Sequence, residues 1–393
     1  MNVYHLKKTS IVFAVISAVG LFSINTHAES SGKFYGDFRL RYEGVSQNNA
    51  LEDADALTLR SRLGYKTATK NGFSGLIEIE NSTALIDDYS FPPVGLNEGQ
   101  FSVVADPDSH TEVDQALLQY KDQGLTVKLG RQVLTLDNHR FVGHVGWRQD
   151  RQTFDALSLN YSLNKTVSFK YAYLDKRNRI FADELDLDSK DHLLNASFKL
   201  GTGKLTPYAY LLEVDNDSDN SLDTYGVSYS GKGAGLGYRV EYATQESNDT
   251  FDADYLTFEL SKKFSGITVK LGYEKLGSDD GEYGFSTPLA TLHKFNGWAD
   301  IFLSTPDQGL EDIYVSAGGK VAGGKWVAAY HDFSSDDALE GSDDLGSEIN
   351  LLYVKKFAKR YAAGIKYADY NAGDAAFNKV DTEKLWLWLS AKF

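Results

Sequence analysis

The amino-acid sequence predicts an all-β fold: a transmembrane antiparallel β-barrel of about 18 strands, with short turns on the periplasmic rim and long loops outside. Three observations carry this. Apolar and polar residues alternate with a period of two along most of the chain, connections alternate between short and long, and the last residue is an aromatic that closes an alternating strand. Beyond the leader, no stretch has a helical period.

The leader comes first. "MNVYHLKKTSIVFAVISAVGLFSINTHAES" carries Lys7 and Lys8, then an apolar run from Ile11 to Ile24, then Thr26-His27-Ala28. A basic head, a short apolar core and a small residue at the cleavage point mark a secretory signal. The run is shorter than the ~20 residues of a membrane-spanning helix. Residues 1–28 are therefore expected to be a signal peptide, and 29–393 the barrel.

The strands follow. In "GKFYGDFRLRYEG", Phe34, Gly36, Phe38, Leu40 and Tyr42 share one face, and Tyr35, Asp37, Arg39, Arg41 and Glu43 the other. The next strand sets Leu57, Leu59, Leu63 and Tyr65 against Thr58, Arg60, Arg62 and Lys66. Similar alternation recurs in Ile267 to Tyr273, in Tyr361 to Tyr367, and in the final "LWLWLSAKF". Short connections are expected near 67–72, 122–124, 162–165, 201–203, 231–234, 322–324 and 357–360. Long polar ones are expected near 44–56, 81–112, 133–152, 175–191, 213–223, 244–252, 277–312, 334–346 and 371–380. A sandwich has no reason to alternate in this way. In lipid every backbone polar group needs a partner, which a closed barrel supplies without leaving a free edge.

At 16–18 strands the interior is too wide for side chains to fill and leaves an aqueous channel. The expected location is the bacterial outer membrane, with lipid and lipopolysaccharide around the wall. Terminal Phe393 is expected to be read by the barrel-assembly machinery. The formal charge of −15 argues against nucleic-acid binding. The absence of cysteine excludes a disulfide framework. Assembly as a homo-oligomer stays open.

Arginine is unevenly spread. Arg39, Arg41, Arg60, Arg62, Arg131, Arg140, Arg148 and Arg151 all fall before residue 152, and only Arg177, Arg179, Arg239 and Arg360 follow. Arg39, Arg41, Arg60 and Arg62 lie on the polar phase of two neighbouring strands and should form one ladder on the inner wall. Guanidinium forks bind carboxylates and phosphates bidentately and keep their charge, and charged walls set pore selectivity. One reading is a track for an anionic solute. The other is a structural ladder neutralised by Asp37, Glu43, Glu78, Glu80 and Asp114.

The segment "DNHRFVGHVGWRQDRQ" at 137–152 first suggests catalysis or a metal, with His139 and His144 beside Asp137 and Asp150. No nucleophile motif accompanies them, and the spacing lacks a zinc-ligand pattern. By strand count the segment is the third external loop, suited to fold into the mouth and narrow it. With "TEVDQALLQYKDQGLTVKLGRQ" before it and "HKFNGWADIFLSTPDQGLEDIYVSAGGK" from His293, it resembles the alginate-export family of outer-membrane porins. The resemblance implies an 18-stranded barrel, a charged lumen narrowed by inward loops, and passage of anionic polysaccharide or sugar acids. It makes Arg131, Arg140, Arg148 and Arg151, with Trp147 and Trp298, candidates for the selectivity region.

The expected function is a porin passing small anionic or sugar-derived solutes (organic acids, uronates, oligosaccharides) by passive diffusion, with an anionic polysaccharide export channel as the alternative. A structural or adhesive surface barrel is the alternative of another class. No cofactor and no enzymatic chemistry are expected. "DNDSDNSLD" places Asp215, Asp217 and Asp219 at alternate positions, like the start of a calcium loop. Asn220 replaces the required glycine and Gly226 the bidentate acid, so these are weak calcium candidates among solvated loops. Tyr35, Trp326, Trp386 and Trp388 read as girdle aromatics at the membrane interface.

Overall fold

The computed structural model describes residues 32–218, 220–248 and 250–393; the signal-peptide assignment lies outside them. Eighteen antiparallel strands form one closed sheet. In chain order they are β1 (Lys33–Gln47), β2 (Ala54–Lys66), β3 (Phe73–Asp88), β4 (Ser109–Asp122), β5 (Leu125–Gln132), β6 (Thr153–Ser162), β7 (Val167–Asn178), β8 (Leu187–Leu200) and β9 (Gly203–Leu212). The second half comprises β10 (Leu222–Gly233), β11 (Leu236–Ser247), β12 (Phe251–Phe264), β13 (Ile267–Leu276), β14 (Leu310–Val321), β15 (Gly324–Leu339), β16 (Ser342–Phe357), β17 (Tyr361–Asn371) and β18 (Thr382–Lys392). Each strand pairs with its sequence neighbours, and β1 closes on β18 from Asp37 opposite Lys392 to Gln47 opposite Thr382.

The alternation read from the sequence sets the two faces. Leu63, Leu118, Leu129, Leu271, Ile313 and Leu389 are all more than half exposed on the outer wall, where lipid takes the place of a protein core. The opposite phase is buried and mostly polar, with Arg41, Glu43, Asp114, Glu241, Glu274, Asp312 and Glu348 turned inward.

Several short-rim turns follow one rule. Asn71-Gly72, Gln123-Gly124, Ala234-Gly235, Ser265-Gly266 and Ala322-Gly323 all have two consecutive positive φ values. Two left-handed residues make a turn whose twist matches the strands, and glycine takes the second position without a Cβ penalty. The Ser265-Gly266 turn is an addition to the short connections expected from the sequence.

Phe393 closes the seam. Its N–H and C=O exchange hydrogen bonds with Gly36 at 3.1 and 3.2 Å. A Cβ on Gly36 would lie 2.4 Å from the Phe393 ring, so that glycine makes room for the terminal aromatic.

Two expected long loops are largely strand. β15 and β16 run on to Leu339 and from Ser342, joined by the turn Glu340-Gly341, so most of 334–346 is a hairpin arm. Its register shifts at Phe333/Ser334 and Ser334/Leu339. Polar composition is no bar to strand pairing where an arm stands in water on both faces. Likewise β11 continues to Ser247 and β12 starts at Phe251. Two long loops, 133–152 and 277–309, turn into the barrel. Around them Val142, Phe154, Leu174, Leu193, Tyr255, Phe285, Leu289, Phe302, Tyr370 and Trp386 form an apolar core inside the barrel.

Candidate selectivity region in the lumen

The arginines of β1 meet the backbone of loop 133–152. Arg39 donates from Nη2 to the carbonyls of Trp147 and Arg148, both at 2.6 Å, and from Nε to Gln149 Oε1 at 3.0 Å. Arg41 donates to the Trp147 carbonyl at 2.5 Å, contacts Asp106 and pairs with Glu43 at 3.1 Å. Gln149 completes the bracket. Its backbone N–H donates to Asp106 Oδ1 at 2.9 Å, and its side chain to Thr58 Oγ1 at 2.9 Å.

The remaining arginines meet carboxylates. Arg60 pairs with Asp37 at 2.9 Å, Arg62 with Glu80, and Arg151 with Glu78 and Asp114. Arg140 reaches across to Glu274 at 2.8 Å, and Arg148 to Asp300 at 2.7 Å. Of the acids that the sequence set against the ladder, Asp37, Glu43 and Glu80 pair with it, whereas Glu78 and Asp114 take Arg151 from the loop. Among the described residues Arg39 alone of the four ladder arginines lacks a carboxylate within ion-pair distance, and it holds carbonyls instead.

Loop 277–309 is pinned as firmly. Glu348 on β16 accepts from the backbone N–H groups of Trp298 and Ala299, the latter at 2.9 Å. Asn296 donates to Glu274 at 2.8 Å and to Asp312 at 3.2 Å. His293 stacks on Trp147 with ring centroids 5.3 Å apart and planes 5° from parallel, so the two inward loops meet there. Lys366 on β17 lies 4.0 Å from the Trp298 ring, 4.6 Å from Trp147 and 5.2 Å from Trp386, and its ammonium donates to His293 Nε2 at 2.6 Å. Three indole faces and a neutral imidazole thus surround the buried Lys366 amine. On the other ring nitrogen His293 meets Asp300 Oδ1 at 2.6 Å, which fixes its tautomer.

The loop electrostatics agree with this packing. Burial pushes His293 well below the ordinary histidine range, against the pull of Asp300. Burial also opposes ionisation of Asp300, yet Arg148, His293 and Lys384 hold it well below the usual carboxylate range. His144 falls to about 4 through burial, with His139 and Arg151 adding to the shift.

Open space lies beside the loops. A chamber of about 760 Å³ is bounded by Lys232, Lys270, Lys294, Tyr314, Trp298 and His331, among others, and reaches the short-rim turn at Thr202. A smaller space of about 170 Å³ lies between residues 133–136 and the wall, with Lys128, Lys170, Ser158 and Asn160 around it. Lys128 sits opposite Ser158 and Lys170 opposite Asn160, placing the two lysines diagonally across β6. Lys204 continues the series, paired with Asp137 at 2.8 Å. None of these lysines was singled out in the sequence, although their inward phase was legible there.

Trp147 and Trp298 do lie in the lumen, at the junction of the two loops. Trp386 and Trp388 correct the girdle reading: both face inward, edge-on to Trp147 at 6.0 and 5.3 Å. Leu385, Leu387 and Leu389 hold the outer phase of β18, which leaves the tryptophans only the inner one. Arg131 is a second correction. It shares the outward phase of β5 with Leu129, and pairs with Asp155 at 2.8 Å and Glu112 at 3.5 Å near the outer rim. His139 and His144 meet edge to face at 5.3 Å, but the two acids are engaged elsewhere, Asp137 by Lys204 and Asn195 and Asp150 by the Ala182 N–H. Asp215 is exposed and paired with Lys190 at 2.7 Å. Asp217 is exposed, and Asp219 lies outside the described residues.

A family model described as alginate export matches residues 32–273. The chain belongs to the alginate-export family. No curated protein matches the sequence. Among solved structures it is similar to OccAB4 of Acinetobacter baumannii, with a TM-score of 0.73 at 15% identity over 92% of this chain and 98% of that one. It is also similar to OpdK of Pseudomonas aeruginosa solved with vanillate, with a TM-score of 0.70 at 13% identity over 92% and 98%. Pseudomonas aeruginosa OpdQ gives 0.69 at 14% over 92% and 97%. The shared architecture is the 18-stranded outer-membrane barrel, and this member of the alginate-export family lies in the bacterial outer membrane.

Proposed function

We propose that this barrel is a porin that passes small anionic or sugar-derived solutes by passive diffusion. The observation that carries the reading is the set of lumen lysines, Lys128, Lys170 and Lys294, which face internal space and make no ion pair among the described residues. The arginine ladder acts mainly as scaffold, since its charges are spent on carboxylates and loop carbonyls. Lysine ammoniums are mobile point charges and suit transient contacts with a passing carboxylate. Hydroxyls of Tyr238, Tyr314, Ser230, Ser261 and Thr257 in the same chamber offer partners for sugar hydroxyls.

Export of a polymer is disfavoured by the two inward loops. Arg148 to Asp300, Arg140 to Glu274 and the Glu348 contacts tie them to each other and to the wall. A chain in transit would need all of these opened together. The vanillate named with OpdK is a small carboxylate of the class proposed here.

Residues 1–28 would direct secretion, Phe393 would be read during barrel assembly, and acidic external loops would face lipopolysaccharide. Oligomerisation would use the outer strip.

Single-channel recordings in asymmetric salt test the proposal. Anion preference is expected for the parent and should fall several-fold in a Lys128→Gln, Lys170→Gln, Lys294→Gln triple variant. Cation preference in the parent, unchanged by the substitutions, would sink it.

A further inference from the structure

We propose that His110, Glu112 and Asp150 form a binding site for one divalent metal ion of the zinc class. The three side chains each bring a ligand atom within 4.8 Å of the other two. His110 and Glu112 share the inward phase of β4, and Asp150 comes down from loop 133–152 to meet them. Two of the ligand groups hold an atom with nothing to bind: His110 Nε2 and Asp150 Oδ1 are both buried without a hydrogen-bond partner. Asp150 is only 2% exposed. Its other oxygen accepts from the Ala182 N–H at 3.0 Å, which aims the free one away from loop 179–186.

The carboxylates of Glu112 and Asp150 each bring an oxygen within 4.8 Å of the other. Such an arrangement calls for a shared proton or a cation. The adjacent group Glu80, Glu112 and Asp114 does not compete, because Arg62 and Arg151 already occupy Glu80 and Asp114. Arg131 reaches Glu112 only at 3.5 Å.

The ligand chemistry selects the metal. One imidazole with two carboxylates suits zinc and its first-row neighbours, whereas calcium and magnesium take oxygen alone. Zinc bonds of about 2.0–2.2 Å would set the ligand atoms roughly 3.4 Å apart, inside the 4.8 Å within which they already lie. Access is provided by the wall itself. β5 and β6 end at Gln132 and Thr153 while β4 continues to Ser109, leaving a crevice of about 590 Å³ that opens on Glu112 beside Arg131, Asp155 and Asp183. A bound ion would clip the end of loop 133–152 to β4, just beside the point where Arg151 enters its carboxylates.

Untagged barrel purified from outer membranes in detergent, stripped with a chelator and titrated with zinc chloride, tests this. One zinc per chain and a raised thermal midpoint are expected for the parent. Both should be lost in His110→Ala and in Asp150→Asn. The asparagine variant removes the repulsion, so it should fold at least as well as the parent without metal. No stoichiometric zinc in the parent would overturn the proposal. So would equal binding by both variants, or displacement of zinc by equimolar calcium. None of these outcomes touches the solute reading.

Discussion

Arg39 and Arg41 show how one residue type on one strand phase can serve two ends. Their positions on the inner wall follow from period two alone. What they touch does not, because the carbonyls of Trp147 and Arg148 are more than a hundred residues away along the chain. Arg148 carries the sharpest residue-scale prediction. Its guanidinium is buried against Asp300 and lies 3.9 Å from Glu43, and these acids hold its charge up despite burial. Removing one partner of a buried pair strands the other and costs about 3–5 kcal/mol. Arg148→Ala is therefore expected to lower the stability of the refolded barrel in urea by that order and to raise its conductance. An unchanged urea midpoint with unchanged conductance would contradict the role given to this pair.

At the scale of the element, loops 133–152 and 277–309 behave as one inward unit with a built-in pH dependence. His293 and His144 are held neutral by burial, His144 at about 4. A released loop would return both to about 6.5. The packed loops then bind fewer protons than the released ones, so their hold is complete above about pH 6.5 and weakens as pH falls towards 4. Asp300, Arg148, Lys366 and Lys384 surround His293, and His139, Arg151, Arg62 and Arg60 act on His144. Asp300 stays ionised through this window, while burial raises Asp150 on the same loop, so removing the two histidines is what isolates their share. Conductance is expected to rise or become noisy between pH 7.5 and 4.5, and the double variant His293→Gln, His144→Gln should flatten that response. The element was partly legible: residues 133–152 were expected to fold inward. The second loop was marked only by Trp298. Its anchors Glu348 and Lys366 look in the sequence like ordinary inward polar positions of β16 and β17.

At the scale of the whole molecule, the barrel is inverted relative to a soluble protein, with apolar residues outside and charge within. A charge on the lipid face costs about 2–4 kcal/mol at the mid-membrane. Leu271→Arg, on the outer face of β13, is expected to lose that much in folding titrations into bilayers. Ser230→Arg, on the inner face of β10, should lose far less. Equal losses would mean the faces have been assigned the wrong way round.

The strand phases and the barrel class were settled by the sequence, because a period of two and the lipid's demand for paired backbone are local constraints, whereas the pairing of Phe393 with Gly36 at the seam came from the structure. The hairpin arm across 334–346 escaped because strands outside the membrane need no apolar face. Which cations stay free was decided only by the tertiary structure. Arg60 and Lys128 have the same charge and the same phase, but Arg60 reaches Asp37 diagonally at 2.9 Å, whereas Lys128 has only Ser158 opposite it. Register and loop descent are non-local, and they spend the ladder arginines on carboxylates and carbonyls while leaving Lys128, Lys170 and Lys294 to line open space.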